Sequence, residues 1–268
     1  MIDIGFLPTW IPRMSGVLSY TFNSLFIYLV LTKTELPIGA YKYILICFAL
    51  FDFAYTTIEM VVEMGTHGLS NAFVVIYANG PYAEDLEVGR LIISLRTCFI
   101  GLSYGILAIH FIYRYIALCR PALLWIFENK LCILGFTFYF FVHGFVWTII
   151  AYFCWYGDDE MREYVDEVFI ENYNVSAKKG VSDSLRFRSW MGLSLLTGIS
   201  CYAITLYSVL GYKIHKKLNT SICSEKSITI HRQLLKALAV QTAIPMLISY
   251  FPCVIAWWGP LFGLNVGR

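Results

Sequence analysis

Several side chains in this sequence are charged or conformationally restrictive in places where apolar residues surround them, and each demands a partner or a purpose. Asp52 lies near the middle of an apolar run over residues 43–62. An ionised carboxylate at that depth in hydrocarbon costs at least about 2.5–3.5 kcal/mol, so Asp52 faces polar company or is protonated. Asn23, in the preceding apolar run, is a hydrogen-bond partner for it. A polar switch or ion site and a plain structural hydrogen bond are the two readings. Arg96 lies about a turn and a half into the run over residues 91–118. It either meets an acidic or carbonyl-bearing ligand in an outward-facing cavity or pairs with Glu59 or Glu63. Arg114, between Tyr113 and Tyr115 near the end of the same run, has the form of an interfacial arginine flanked by aromatic anchors and snorkelling to water. Pro245 and Pro252 each remove a backbone donor and crowd the preceding turn, which predicts a bend, either a hinge or a fixed kink.

No enzymatic constellation accompanies them. GxSxG, HExxH and the phosphate-binding glycine loop are absent. His110 and His143 fall in different runs with no evident metal partner, and neither metal nor cofactor is expected. The eight cysteines show no CxxC or Cys/His spacing, and most sit in apolar runs as small hydrophobes. Cys119 is a candidate for palmitoylation.

The elements that must position these residues follow from hydropathy. Of 268 residues 58% are hydrophobic and 14% charged, with a mean hydropathy of +0.64; soluble domains carry roughly 25% charged residues. Six runs reach the roughly 20 residues needed to cross a bilayer: 14–32, 43–62, 91–118, 131–153, 190–212 and 237–258. The predicted fold is therefore all-α, a multi-pass transmembrane bundle forming a single domain over 1–268. A net charge of +2 gives no footprint for nucleic acid.

Loop charge sets the orientation. Residues 33–42, 114–130 and 213–236 hold eleven Lys and Arg against three acids. The N-terminus with residues 59–96 and 157–188 holds eight against fourteen, many in "GDDEMREYVDEVFIE". The basic side is cytoplasmic and the N-terminus outside. Asn174-Val175-Ser176 is then an N-glycosylation sequon on the outer side, whereas the sequon at Asn219 faces the cytoplasm. The basic loop over 213–236 suits a G protein or anionic lipid, and its serines suit phosphorylation.

Three stretches carry a more specific signal: "PIGAYKYILICFALFDFAYT", "GILAIHFIYRYIALCRP" and "HRQLLKALAVQTAIPMLISYFP". The sequence resembles the nematode serpentine chemoreceptors of the Str superfamily, the Str and Srj families and their relatives, along most of its length. That resemblance implies a rhodopsin-like seven-helix receptor for a small-molecule odorant or other chemical cue. It also implies coupling to a heterotrimeric G protein, and a place in the plasma membrane, in the ciliary membrane of a chemosensory neuron.

On that resemblance Arg114 is similar to the arginine of the Asp-Arg-Tyr motif, with Tyr113 in place of the acid. It would contact the sixth helix at rest and the G protein when active. Asp52 matches an acid that helps hold a sodium and water cluster, and the prolines match a sixth helix that swings outward. A ligand pocket is expected between the outer halves of the third, fifth and sixth helices, with Arg96, Tyr104, Ser194 and Tyr250 as its lining. Such receptors have a seventh helix, whereas only "GPLFGLNVGR" follows Trp258. The chain is thus expected to lack that helix. A non-signalling truncated paralogue and a six-helix transporter or channel are the competing functions.

Overall fold

A segment crossing hydrocarbon must satisfy its backbone N–H and C=O groups internally, which a helix does. A computed structural model describes residues 6–32, 41–62, 64–69, 72–78, 86–154, 181–182, 187–220 and 225–258. Its helices are α1 (Phe6–Thr32), α2 (Tyr41–Val61), α3 (Leu86–Cys119), α4 (Lys130–Cys154) and α5 (Phe187–Thr220). All five contain a stretch long and apolar enough to cross a membrane. The sixth apolar run is divided. It comprises the end of α6 (Glu225–Pro245), a π turn (Met246–Tyr250) and α7 (Phe251–Trp258), which follow without a gap.

Several helices outrun the apolar limits. α5 continues from Tyr212 to Thr220, about 12 Å more at 1.5 Å per residue. Lys213, Lys216 and Lys217 lie in this extension, which raises basic side chains clear of the inner interface. After α3, a 3-10 helix (Pro121–Phe127) carries a proline in its first turn, where the missing N–H has no partner to lose.

Three strands add to the helices on the outer side: β1 (Met64–Leu69), β2 (Ala72–Ala78) and β3 (Val181–Ser182). They form an antiparallel sheet in the order β1-β2-β3, pairing Met64 with Ala78 and Ile76 with Ser182. β2, AFVVIYA, is rich in the β-branched and aromatic residues that favour a pleated strand. The bundle is helical as expected; the sheet is an addition that the hydropathy pattern did not announce.

α3 is the centre of the bundle, and every residue from Gly101 to Ala108 is buried. Its seam with α4 is close because glycines line it. A Cβ at Gly101 would run into the His143 carbonyl and reach 2.8 Å from Trp147 Cβ. One at Gly144 would stand 2.8 Å from Cys98 Sγ. Without a hydrophobic drive between helices in lipid, such small-residue contacts supply the packing. α5 presents a stripe of Leu193, Leu196, Ala203, Tyr207, Leu210, Ile214 and Leu218 to the core, spaced by three and four as one helical face requires. Hydroxyl pairs join α1 to α2: Ser19 with Thr56 and Tyr20 with Thr57, both 2.7 Å. Phe22, Phe138 and Leu247, each more than 60% exposed, face the lipid.

Candidate functional site

Two groups of polar side chains meet along α3. The outer group gathers where α3, α5 and the π turn converge. Tyr104 is buried and its hydroxyl lies 3.0 Å from Ser200 Oγ of α5. Tyr207, two turns further along the same face of α5, donates to the Tyr104 carbonyl at 2.8 Å. Tyr250, the last residue of the π turn, shares a hydrogen bond with Ser103 and packs its ring 4.8 Å from that of Tyr104. Trp147 of α4 closes the group from behind, 5.4 Å from Tyr104. The result is a set of hydroxyls in apolar surroundings, each with a partner, which fixes ring orientation while leaving groups able to exchange hydrogen bonds.

Of the residues expected to line a ligand pocket, Tyr104 and Tyr250 come together here. Ser194 does not. It is exposed on α5, about 100° around the helix from Leu193, whereas the core-facing serine is Ser200. Arg96 is also engaged elsewhere. Its Nη2 and Nε donate to the two oxygens of Glu59, at 2.7 and 3.1 Å, and its Nη1 to the Val62 carbonyl at 2.9 Å. This is the pairing with Glu59 rather than a guanidinium turned toward a cavity.

The inner group is built around Arg114. Its side chain is buried, and its guanidinium carbon stands 3.7 Å from the centre of the Tyr41 ring. Tyr41 opens α2, is 2% exposed, and stacks on Tyr113 at 5.1 Å. Tyr113 in turn meets Phe127 of the 3-10 helix, 4.8 Å away and edge-on. One turn outward from Arg114, His110 is fully buried between Tyr41 and Phe48, its Nε2 3.3 Å from the Ile44 carbonyl. Among the described residues, Nδ1 of His110 and both Nε and Nη2 of Arg114 are buried with no hydrogen-bond partner. Arg114 is thus buried against the face of the Tyr41 ring, beside an aromatic cluster of Tyr41, Tyr113 and Phe127. Tyr115 lies beside it, half-buried, with Lys213 of α5 5.7 Å from its ring. His231 of α6, outside the membrane span, has its proton affinity lowered by burial and by the nearby charge of Arg114.

Asp52 is partly buried on α2, and no hydrogen bond joins it to Asn23. Asn23 instead donates to Ser19 at 3.2 Å, within the α1–α2 hydroxyl contacts. Pro245 ends α6 and Pro252 stands in the first turn of α7, with the π turn between them. A proline withdraws the donor and displaces the carbonyl four residues back, and a wider turn accommodates both. Asn174 lies outside the described residues. No cluster of His, Cys, Asp and Glu able to hold a metal occurs among the described residues.

A groove of about 700 Å³ opens instead on the lipid-facing side between α2, α3 and α4, lined by Cys47, Phe51, Leu102, Ile106, Phe136 and Phe140 among others. It lies away from the hydroxyl cluster and has almost no polar lining. The partners that sequence reasoning left out are Tyr41, Ser103, Ser200 and Tyr207. Tyr41 stood within "PIGAYKYILICFALFDFAYT", but nothing in its spacing tied it to Arg114.

Comparison with known proteins follows the same lines. The family described as "Serpentine type 7TM GPCR chemoreceptor Srj" matches residues 2–268. Serpentine receptor class J-38 of Caenorhabditis elegans is 30% identical over 279 residues, covering 97% of this chain and 82% of that protein. G-protein coupled receptor str-33 of the same nematode is 24% identical, covering 91% and 75%. Its serpentine receptor class r-10 is 25% identical, covering 93% and 77%.

Proposed function

Because this chain belongs to the Srj family of serpentine seven-transmembrane chemoreceptors, a family of multi-pass receptors and not enzymes, we propose that it detects a small apolar or volatile molecule and signals through a heterotrimeric G protein. The ligand enters among the outer halves of α3, α5 and the π turn, where Tyr104 and Tyr250 stand together. The receptor acts in the plasma membrane, in the ciliary membrane of a chemosensory neuron, with a glycan on Asn174.

The observation that carries this reading is the bond between Tyr250 and Ser103. It ties the irregular turn of the sixth segment to α3, so a ligand that breaks or replaces it changes how the sixth segment sits. Arg114, on the same helix, lies beside Tyr41 and Tyr113, against whose cluster Leu234 of α6 packs. One rigid helix thus joins the outer hydroxyls to an inner cation suited to a G protein.

The test is expression of this chain in a heterologous cell with a calcium or cyclic-nucleotide readout and a panel of volatile compounds. A response that disappears in Arg114→Gln, and changes potency in Tyr250→Phe, is expected. Currents that persist when G-protein coupling is blocked would instead identify a channel. Silence across the panel, with the protein at the cell surface, would favour a non-signalling role.

A further inference from the structure

Arg114 carries a positive charge within the bundle, yet among the described residues no carboxylate pairs with it and the residue before it is Tyr113. Its Nε and Nη2 are shielded from solvent and find no hydrogen-bond partner among the described residues. The group that compensates the charge is the face of the Tyr41 ring, 3.7 Å away, a distance at which the negative face of an aromatic ring attracts a cation. We infer that Tyr41 is the positioning residue that holds Arg114 in the resting receptor, taking by its ring the part that a neighbouring carboxylate would otherwise take. The inference rests on the coupling reading given above and extends it to the regulation of Arg114.

Geometry supports a device rather than incidental packing. Tyr41 is fixed from two sides, stacked on Tyr113 at 5.1 Å and edge-on to His110 at 5.9 Å, so its ring cannot turn away without disturbing α3. It stands in the first turn of α2, beside the basic inner loop, where movement of that helix end would uncover Arg114. An arginine held by a ring keeps its hydrogen-bond donors unspent. Two nitrogens that are buried and, among the described residues, idle at rest are available to an incoming acceptor, which a tight carboxylate pair would have occupied. Holding by a ring is also weaker and less directional than bidentate pairing, so release needs a smaller push.

The ring and not the hydroxyl does the holding, and this separates the inference from a packing role. In this chain, Tyr41→Phe should leave ligand-independent signalling at the wild-type level. Tyr41→Leu keeps a shorter apolar side chain and has no π face. It should raise ligand-independent signalling by roughly five- to thirtyfold, the shift expected from losing a desolvated cation–π contact. The rise should vanish when Arg114→Gln is added. If Tyr41→Leu fails to reach the membrane, phenylalanine bearing one, two or three ring fluorines at position 41 keeps the shape and progressively empties the π face. Basal signalling should then climb with each fluorine.

A second readout is independent of any G protein. Cys119, at the inner end of α3, lies half-buried against the Lys213 carbonyl of α5, with its sulfur 4.0 Å from the oxygen. Its alkylation, followed by mass spectrometry of the Cys119 peptide, reports opening of the inner end. Faster labelling in Tyr41→Leu than in wild type and Tyr41→Phe supports the inference. If labelling rises but no chain activates any G protein, Tyr41 holds Arg114 and the coupling reading fails. Wild-type labelling and wild-type basal signalling in both Tyr41→Leu and the trifluorinated chain would overturn the inference.

Discussion

Removing the carboxylate from Glu59 is the perturbation whose size follows most directly from the geometry. Arg96 and Glu59 join α3 to α2 by two N–H···O contacts of 2.7 and 3.1 Å, with side chains 12% and 37% exposed. Leaving one member of a buried pair alone costs about 3–5 kcal/mol, whereas exposed pairs are worth about 0–1 kcal/mol. Glu59 is more than a third exposed, so water screens much of the charge, and Arg96 keeps its bond to the Val62 carbonyl. An effect of about 1–2 kcal/mol is the consequence for Glu59→Gln. For a chain of this size that lowers the midpoint of thermal unfolding by roughly 2–8 °C. The assay is unfolding of the purified receptor in nanodiscs, followed by tryptophan fluorescence, for Glu59→Gln, Arg96→Gln and the double variant. A coupling energy of about 1–2 kcal/mol is expected from the cycle. Coupling below about 0.3 kcal/mol would refute the reasoning, as would ligand potency that collapses in Arg96→Gln but not in Glu59→Gln. That second pattern would make Arg96 a ligand contact after all.

Gly101→Val should disrupt the α3–α4 seam, because its added atoms meet the His143 backbone and cannot displace it; a loss of at least 3 kcal/mol, or no folded receptor at all, is expected in a fluorescence size-exclusion assay. Tyr207→Phe removes the donor to the Tyr104 carbonyl and should lower stability by about 1 kcal/mol in the same unfolding assay. His231 binds a proton less readily in the folded chain than free. Stability attributable to it is therefore complete above the ordinary histidine range, near pH 6.5, and is lost as pH falls below that. His231→Gln should flatten the fall in unfolding temperature between pH 7 and pH 5.

Five of the six spans were legible because hydrocarbon imposes its own length rule on the sequence. Arg96 was legible for a related reason: a charge in apolar surroundings needs a counter-charge, and Glu59 was near to hand. Which face of each helix turns inward was not legible. In lipid both the core face and the outer face are apolar, so periodicity does not separate them. Ser194 and Ser200 illustrate it. Both are serines in the same apolar helix, and only the packing of Leu193, Leu196 and Ala203 decides that Ser200 meets Tyr104. Asn23 and Asp52 failed to pair for the same cause, since α1 turns Asn23 toward Ser19. The contact between Tyr41 and Arg114 was not legible because they lie 73 positions apart in the sequence, and an arginine does not advertise an aromatic partner as it does an acid.

The π turn at Met246–Tyr250 holds one residue more than an α-turn over the same rise. Tightening it to α-geometry would have to pass that surplus residue along the strand of helix, and passing one residue turns the far part by about 100° and slides it about 1.5 Å. The sixth segment is thus geared as a screw rather than jointed as a lever. Tyr250, bonded to Ser103 at the end of the turn, would resist that winding. A ligand that draws Tyr250 from Ser103 would let the segment wind, and winding presents a different row of side chains to α3 without lifting the helix from its neighbours.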